Sequence, residues 1–236
     1  MGKNSFQFKQ FTVNQEHCAM KVGTDGTLLG AWAKVPVAES WILDIGTGTG
    51  LIALMMAQRY PESQIVGIDI YKDAAQQAQE NASHSPFSDR IKIICGDATK
   101  MDDNLKFDAI VCNPPYFVDS LTCPEDQRTL ARHTATLNYQ SLMKTAKKLL
   151  KNDGILSVVI PTDNSEDIES AVAMEGLFIR RICLIKTTPQ KFPKRKLIEI
   201  GKQSLNGTEF NEEVLETIPG KRSDWYHNLT KDFYLR

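Results

Sequence analysis

Asn113-Pro114-Pro115-Tyr116 puts a side-chain amide carbonyl, a backbone carbonyl and an aromatic ring within four residues. That set suits chemistry at an exocyclic amino nitrogen. Such a nitrogen is a poor nucleophile because its lone pair is delocalised into a π system. Two carbonyls, from the Asn113 side chain and the Pro114 backbone, accept its two hydrogens, orient it and favour pyramidal geometry as a new N–C bond forms. Pro115 stiffens the turn, and the Tyr116 ring stacks on a planar substrate. The catalytic candidates are therefore Asn113, Pro114 and Tyr116, with Pro115 and Tyr116 facing the substrate. With an activated donor no strong base is needed, so His133 reads as a hydrogen-bonded structural residue rather than a base. An isolated Pro-Pro-Tyr also occurs in loops and proline-rich ligands, so its neighbours must decide.

The decisive neighbour is Leu43-Asp44-Ile45-Gly46-Thr47-Gly48-Thr49-Gly50. Glycines there let the chain turn sharply and approach a ligand closely. Asp69, 23 residues after Gly46, closes the next apolar run and suits a ribose diol. The spacing is not that of a dinucleotide fingerprint, because Leu51 stands where the third glycine belongs and Gly50 comes one residue early. Asp44 would also repel a pyrophosphate. A cofactor with cationic groups and no phosphate fits better, and S-adenosylmethionine, with its ammonium and sulfonium, is one. Asp97, in Gly96-Asp97-Ala98, either contacts the cofactor or caps a helix.

These turns need a scaffold. Trp41–Ile45, Gln64–Ile70, Ile91–Cys95, Phe107–Cys112 and Ile155–Ile160 read as buried strands. Leu51–Arg59, Ala74–Ser83, Tyr139–Leu150 and Ser165–Met174 read as helices, the third ended by Asn152-Asp153-Gly154. Leu177–Lys186 and Lys196–Gly201 are late strands with no helix between them, so an antiparallel edge hairpin is expected. The β-α alternation predicts an α/β fold: a mostly parallel, seven-stranded sheet with helices on both faces and an antiparallel edge strand. Residues 1–40, with a short helix near Gly26–Ala33, are expected to form an extension packed on a catalytic domain spanning 41–236.

Composition narrows the classes further. The 236 residues are 42% hydrophobic and 24% charged, within the globular range. No apolar run approaches a membrane span, and Met1 to Gln10 has no apolar core for a secretory signal. A cytoplasmic protein is expected. Cys18, Cys95, Cys112, Cys123 and Cys183 lie far apart, so neither zinc nor any other metal is expected, and buried reduced thiols are. No oligomeric partner is evident. The net charge is -1, yet residues 180–202 hold eight Lys and Arg (Arg180, Arg181, Lys186, Lys191, Lys194, Arg195, Lys196, Lys202) against Glu199 alone. Charge alone fits a phosphate-binding surface or a solvated loop equally well.

On the glycine turn, Asp69 and the Asn-Pro-Pro-Tyr run, the chain resembles class I (Rossmann-like) S-adenosylmethionine-dependent methyltransferases. The resemblance implies that Gly46, Gly48 and Gly50 lie beneath the methionine part, that Asp69 holds the ribose, and that Asp97 contacts the adenine. Thr24, Asp25, Asp44, Ala98 and Asn113 complete the expected cofactor-binding set. More closely, it is similar to bacterial tRNA1(Val) adenine-N6 methyltransferases, in Phe8–Val13, Cys18–Gly26, Leu28–Trp32, Gln77–Asn81, Ala131–Leu137 and Phe233–Leu235. That implies methylation of N6 of an adenine in tRNA, beside the anticodon. Lys21, Arg128, Arg132, Lys194 and Arg195 would then hold RNA phosphates around a splayed base. Two alternatives stay open here. One is methylation of another amino nitrogen, in a protein glutamine, rRNA or DNA; the other is a non-catalytic module that binds S-adenosylmethionine or RNA.

Overall fold

Successive residues of the central strands belong to opposite cores. Ile42, Ala109 and Val111 pack into one apolar cluster, while Leu43, Ile45, Ile110 and Cys112 pack into another. A strand presents alternate side chains to opposite faces, so a run apolar at every position must be covered on both. That requirement builds the fold. The computed structural model describes residues 4–16, 21–114 and 138–235. In chain order the described elements are β1 (Ser5–Gln7), β2 (Thr12–Asn14), α1 (Thr24–Trp32), β3 (Trp41–Ile45), α2 (Leu51–Arg59) and β4 (Gln64–Asp69). Next come α3 (Lys72–Ser83), β5 (Ile91–Cys95), β6 (Phe107–Cys112), α4 (Tyr139–Leu149), β7 (Leu150–Pro161) and α5 (Ser165–Met174). The chain closes with β8 (Phe178–Lys186), β9 (Arg195–Gly201), β10 (Glu209–Val214), β11 (Glu216–Ile218), β12 (Lys221–Arg222) and α6 (Asp224–Thr230).

The main sheet has the order β10-β8-β9-β7-β6-β3-β4-β5. From β3 the chain winds outward through β4 to β5, then returns to place β6 on the other side of β3 and continues to β7. The order therefore reverses between β3 and β6, and the carboxyl ends of those strands flank a crevice. The glycine turn follows β3 and the Asn113 turn follows β6, so the topology brings both to one rim.

Two features differ from the sequence expectation. The antiparallel hairpin of β8 and β9 forms, but β9 inserts between β7 and β8, and β10 adds an eighth strand outside, parallel to β8. β10 reads Glu-Phe-Asn-Glu-Glu-Val and is mostly exposed. It lacks the apolar run that marks a buried strand, which is why periodicity does not announce it. The second difference is at Asn152-Asp153-Gly154. Instead of ending a helix in a loop, these residues lie inside β7, where the register with β6 shifts between Leu150 and Ile155 as a bulge. Gly154 is needed there, because a Cβ would sit 3.0 Å from the Phe107 carbonyl oxygen.

α1, α2 and the β1–β2 hairpin lie on one face of the sheet, and α4 and α5 on the other. Phe8 is buried against Phe11 and Tyr234, with ring centroids 4.8 and 5.8 Å away. The Lys9 N–H donates to the Phe233 carbonyl at 2.8 Å, tying the hairpin to the chain's last described turn. α4 starts on a side-chain cap, the Asn138 carbonyl accepting from the Ser141 N–H at 2.8 Å. Its Leu142, Ala146 and Leu149 form the apolar stripe. Among the described residues, no helix is long and apolar enough to cross a membrane.

Candidate active site

Gly46, Gly48 and Gly50 have φ of 69°, 56° and 80°. This is the left-handed region that favours glycine, so the whole turn rests on the residue type. The Gly46 and Thr47 N–H groups both donate to the Ile68 carbonyl, pinning the turn over the end of β4. Gly50 caps α2, which starts at the glycine turn.

Asp44 lies beneath this turn and is fully buried. One carboxylate oxygen accepts from the Thr47 hydroxyl at 2.7 Å and from the Ala53 N–H at 3.1 Å. The other, Oδ1, is buried with no hydrogen-bond partner. Burial pushes the carboxyl up to about 7; hydrogen bonds from Thr47 and Ala53 oppose that, and the Asp69 charge adds to it. A carboxyl so placed is relieved by a cation. Asp69, at the end of β4, accepts from the Gly48 N–H and the Tyr71 N–H, each at 2.9 Å. It thereby locks the glycine turn to the next strand.

Asn113 leaves β6 directly after Cys112, which is paired with Ile45, so it stands beside Gly46 across the crevice. Its side-chain oxygen is buried without a hydrogen-bond partner among the described residues, and Pro114 after it is buried. Asp97 follows β5 and accepts from both the Thr99 N–H, at 3.0 Å, and the Thr99 hydroxyl, at 2.7 Å, with Lys100 at 3.4 Å. Burial alone would raise its pKa, but the Thr99 bonds and the Lys100 charge outweigh it and hold the carboxyl low. Asp97 is thus a helix cap at the rim, followed by buried Ala98.

Thr24 and Asp25 begin α1, which packs close to the start of α2: a Cβ on Gly26 would lie 3.1 Å from Leu51. Asp25 pairs with Arg195, which opens β9 opposite Pro161 at the carboxyl end of β7. A residue expected to meet cofactor and one expected to meet RNA are therefore partners of each other. Lys194, next to it, is exposed. Pro115, Tyr116, Arg128, Arg132 and His133 lie outside the described residues, as do Cys18 and Cys123. Of the remaining thiols, Cys112 and Cys183 are buried, and burial pushes Cys183 up to about 12. Cys95 is exposed, contrary to expectation, because it ends β5, the outermost strand of the sheet.

Asn81 carries no catalytic signature, yet it organises the site. It is buried on α3, and its amide nitrogen donates to the carbonyls of Thr49 and Asn14, both at 2.8 Å. Its oxygen accepts from the Asn14 N–H at 2.9 Å. One side chain thus joins the glycine turn to the N-terminal hairpin. Its traces in the sequence are a polar residue on the apolar face of an otherwise ordinary helix and its place in the Gln77–Asn81 segment of the resemblance.

Two orphaned carbonyl-type oxygens, Asp44 Oδ1 and Asn113 Oδ1, border the crevice, and a Cβ built on Gly46 would meet nothing within 4 Å. Unmet acceptors beside open backbone are what a ligand that donates hydrogen bonds or carries positive charge would use. Comparison with known proteins agrees. Residues 38–215 match a family model described as a methyltransferase domain. The chain is 47% identical to the tRNA1(Val) (adenine(37)-N6)-methyltransferase of Bacteroides thetaiotaomicron, covering 100% of this chain and 99% of that one. It is 42% identical to the protein of the same name from Yersinia enterocolitica, covering 98% and 92%. Among solved structures, a predicted O-methyltransferase from Agrobacterium tumefaciens superposes with a TM-score of 0.66 at 20% identity, covering 89% of this chain and 96% of that one. That likeness is one of fold.

Proposed function

Because the chain belongs to the family of tRNA1(Val) (adenine(37)-N6)-methyltransferases, we infer that it methylates N6 of an adenine in tRNA, position 37 of a valine tRNA, in the cytoplasm. The observation that carries this reading to the chemistry is the buried, unpartnered Asn113 oxygen beside the glycine turn. Leaving a buried acceptor unpaired costs about 1–3 kcal/mol. An adenine amino group that donates to it recovers that cost while being oriented for attack.

S-adenosylmethionine, when bound, supplies a methyl group already activated on a cationic sulfur. The residues that would hold it are Gly46, Gly48 and Gly50, with Asp44 below and Asp69 alongside. Asp69 accepts from a ribose diol, and Asp44 offers negative charge to the cationic end. Asp97 and Ala98 border the adenine side, with Thr24 at the start of α1. Asn113 Oδ1 and the Pro114 carbonyl each accept one hydrogen of the target amino group. This holds its lone pair toward the cofactor side and counts as positioning rather than base catalysis. Tyr116 stacks on the target base, and Arg128 and Arg132 meet RNA phosphates.

The test is transfer of labelled methyl from S-adenosylmethionine to unmodified bulk tRNA, followed by nucleoside analysis. Label in N6-methyladenosine is expected. A protein that binds the cofactor tightly and leaves tRNA unlabelled would overturn the reading.

A further inference from the structure

Phe192 is 90% exposed, the most exposed large apolar side chain in the described structure. It lies in Thr187–Lys194, the connection from β8 to β9, between Lys191 and Lys194, both exposed. Exposure of this kind in a loose tail would mean little, but this backbone is tied at four points. The Lys191 N–H donates to the Thr188 carbonyl, and the Lys194 N–H to the Ile185 carbonyl, both at 3.0 Å. Thr162, after β7, donates its N–H to the Lys194 carbonyl at 3.2 Å and its hydroxyl to the Pro193 carbonyl at 2.9 Å. Four hydrogen bonds therefore hold the loop that presents this ring to water.

The charges around it sharpen the point. Of the eight basic residues between 180 and 202, Arg181, Lys186, Arg195 and Lys196 form ion pairs with Glu199, Glu212, Asp25 and Glu169. Arg180 and Lys202 donate to backbone carbonyls. Lys191 and Lys194 have no such partner among the described residues. The two cations of the segment with neither an ion pair nor a carbonyl partner among the described residues therefore bracket its one exposed aromatic ring. A fixed ring between two cations matches a nucleobase between two phosphates.

We propose that Phe192, Lys191 and Lys194 form a stacking platform for a single-stranded RNA nucleotide that flanks the methylated adenine. The proposal rests on the tRNA reading above. Position selects a flanking nucleotide over the target itself. The loop joins strands two and three places from β6, so it stands roughly 10–15 Å from Asn113 along the rim, at about 4.8 Å per strand.

The probe is an anticodon stem-loop RNA with 2-aminopurine replacing a loop purine beside the target adenine, followed by anisotropy and by quenching. We expect Phe192→Ala to weaken RNA binding about tenfold and to abolish the quench. KM for tRNA should rise in parallel, while kcat and S-adenosylmethionine affinity stay within about twofold. Phe192→Trp should restore both signals. Lys191→Ala with Lys194→Ala should lower the slope of log affinity against log salt by about one to two. A Phe192→Ala variant that binds and quenches like the parent overturns the platform. A parent that binds and quenches the RNA yet leaves its adenines unmethylated would sink the tRNA reading and keep the platform.

Discussion

The β3–β6 rim and the β8–β9 hairpin treat a buried charge differently. At the rim, Asp44 is wholly buried with one oxygen unpartnered, and Asn113 keeps its carbonyl unpaired. In the hairpin, Arg181 is also removed from water, but Glu199 meets it at 2.9 Å and its guanidinium stacks 3.6 Å from the Trp32 ring centroid. The Trp32 carbonyl accepts a further bond from it. The first region carries unmet hydrogen-bonding capacity where a ligand enters. The second neutralises its buried charge with a counterion, although Arg181 Nε itself has no hydrogen-bond partner among the described residues. The two regions differ in whether a buried charge has a counterion: Arg181 has Glu199, and no such ion pair is seen for Asp44 among the described residues.

The comparison breaks most visibly if a structural charge is stripped. Glu199→Ala leaves Arg181 buried without its counterion and should destabilise the protein by about 3 kcal/mol or more, read from denaturant unfolding. Replacing both partners with apolar residues of similar volume should recover most of that loss. If Glu199→Ala unfolds like the parent, the hairpin pair is not structural as described here. The reverse is expected at the rim. Asn113→Ala should leave stability nearly unchanged, or raise it slightly, and slow transfer about a hundredfold, the size seen for one preorganised hydrogen-bond partner. Cofactor affinity should hold. A retained rate would remove Asn113 from the mechanism.

Asp44 gives the smallest and most informative effect. Its folded pKa of about 7 lies above the ordinary 3.8, so the ionised form is disfavoured in the fold. The fold is therefore fully stable with respect to this group below about pH 4 and loses stability as pH rises toward 7. Between pH 5 and 8 the cofactor-free protein should lose about 2 kcal/mol through Asp44, and Asp44→Asn should flatten that loss while weakening S-adenosylmethionine binding. A variant whose stability follows the parental pH profile would show that the buried carboxyl does not titrate as described.

Much of the rim is legible in the chain because its logic is local. Gly46, Gly48 and Gly50 announce a left-handed turn by residue type, and Asp69 sits where the next apolar run stops. Trp41–Ile45 and Phe107–Cys112 are apolar at nearly every position, which already implies burial on two faces. Asn81 is less legible, since nothing near it in sequence says that it will reach Thr49 and Asn14. The basic segment misleads in the same way. Arg195 looks like a phosphate ligand until Asp25, 170 residues earlier in the chain, is found against it.

By itself the sequence determined the parallel α/β core, the left-handed glycine turn and the cofactor class, because hydrophobic period and glycine conformation are properties of neighbouring residues. Only the tertiary structure decided that β10 extends the sheet, and that six of eight basic residues are already engaged while Lys191 and Lys194 flank an exposed Phe192. Those outcomes depend on which distant groups come within a few ångströms. Electrostatic and hydrogen-bonding energies fall away over just that distance, so composition reports how many charges a segment carries but not which remain free.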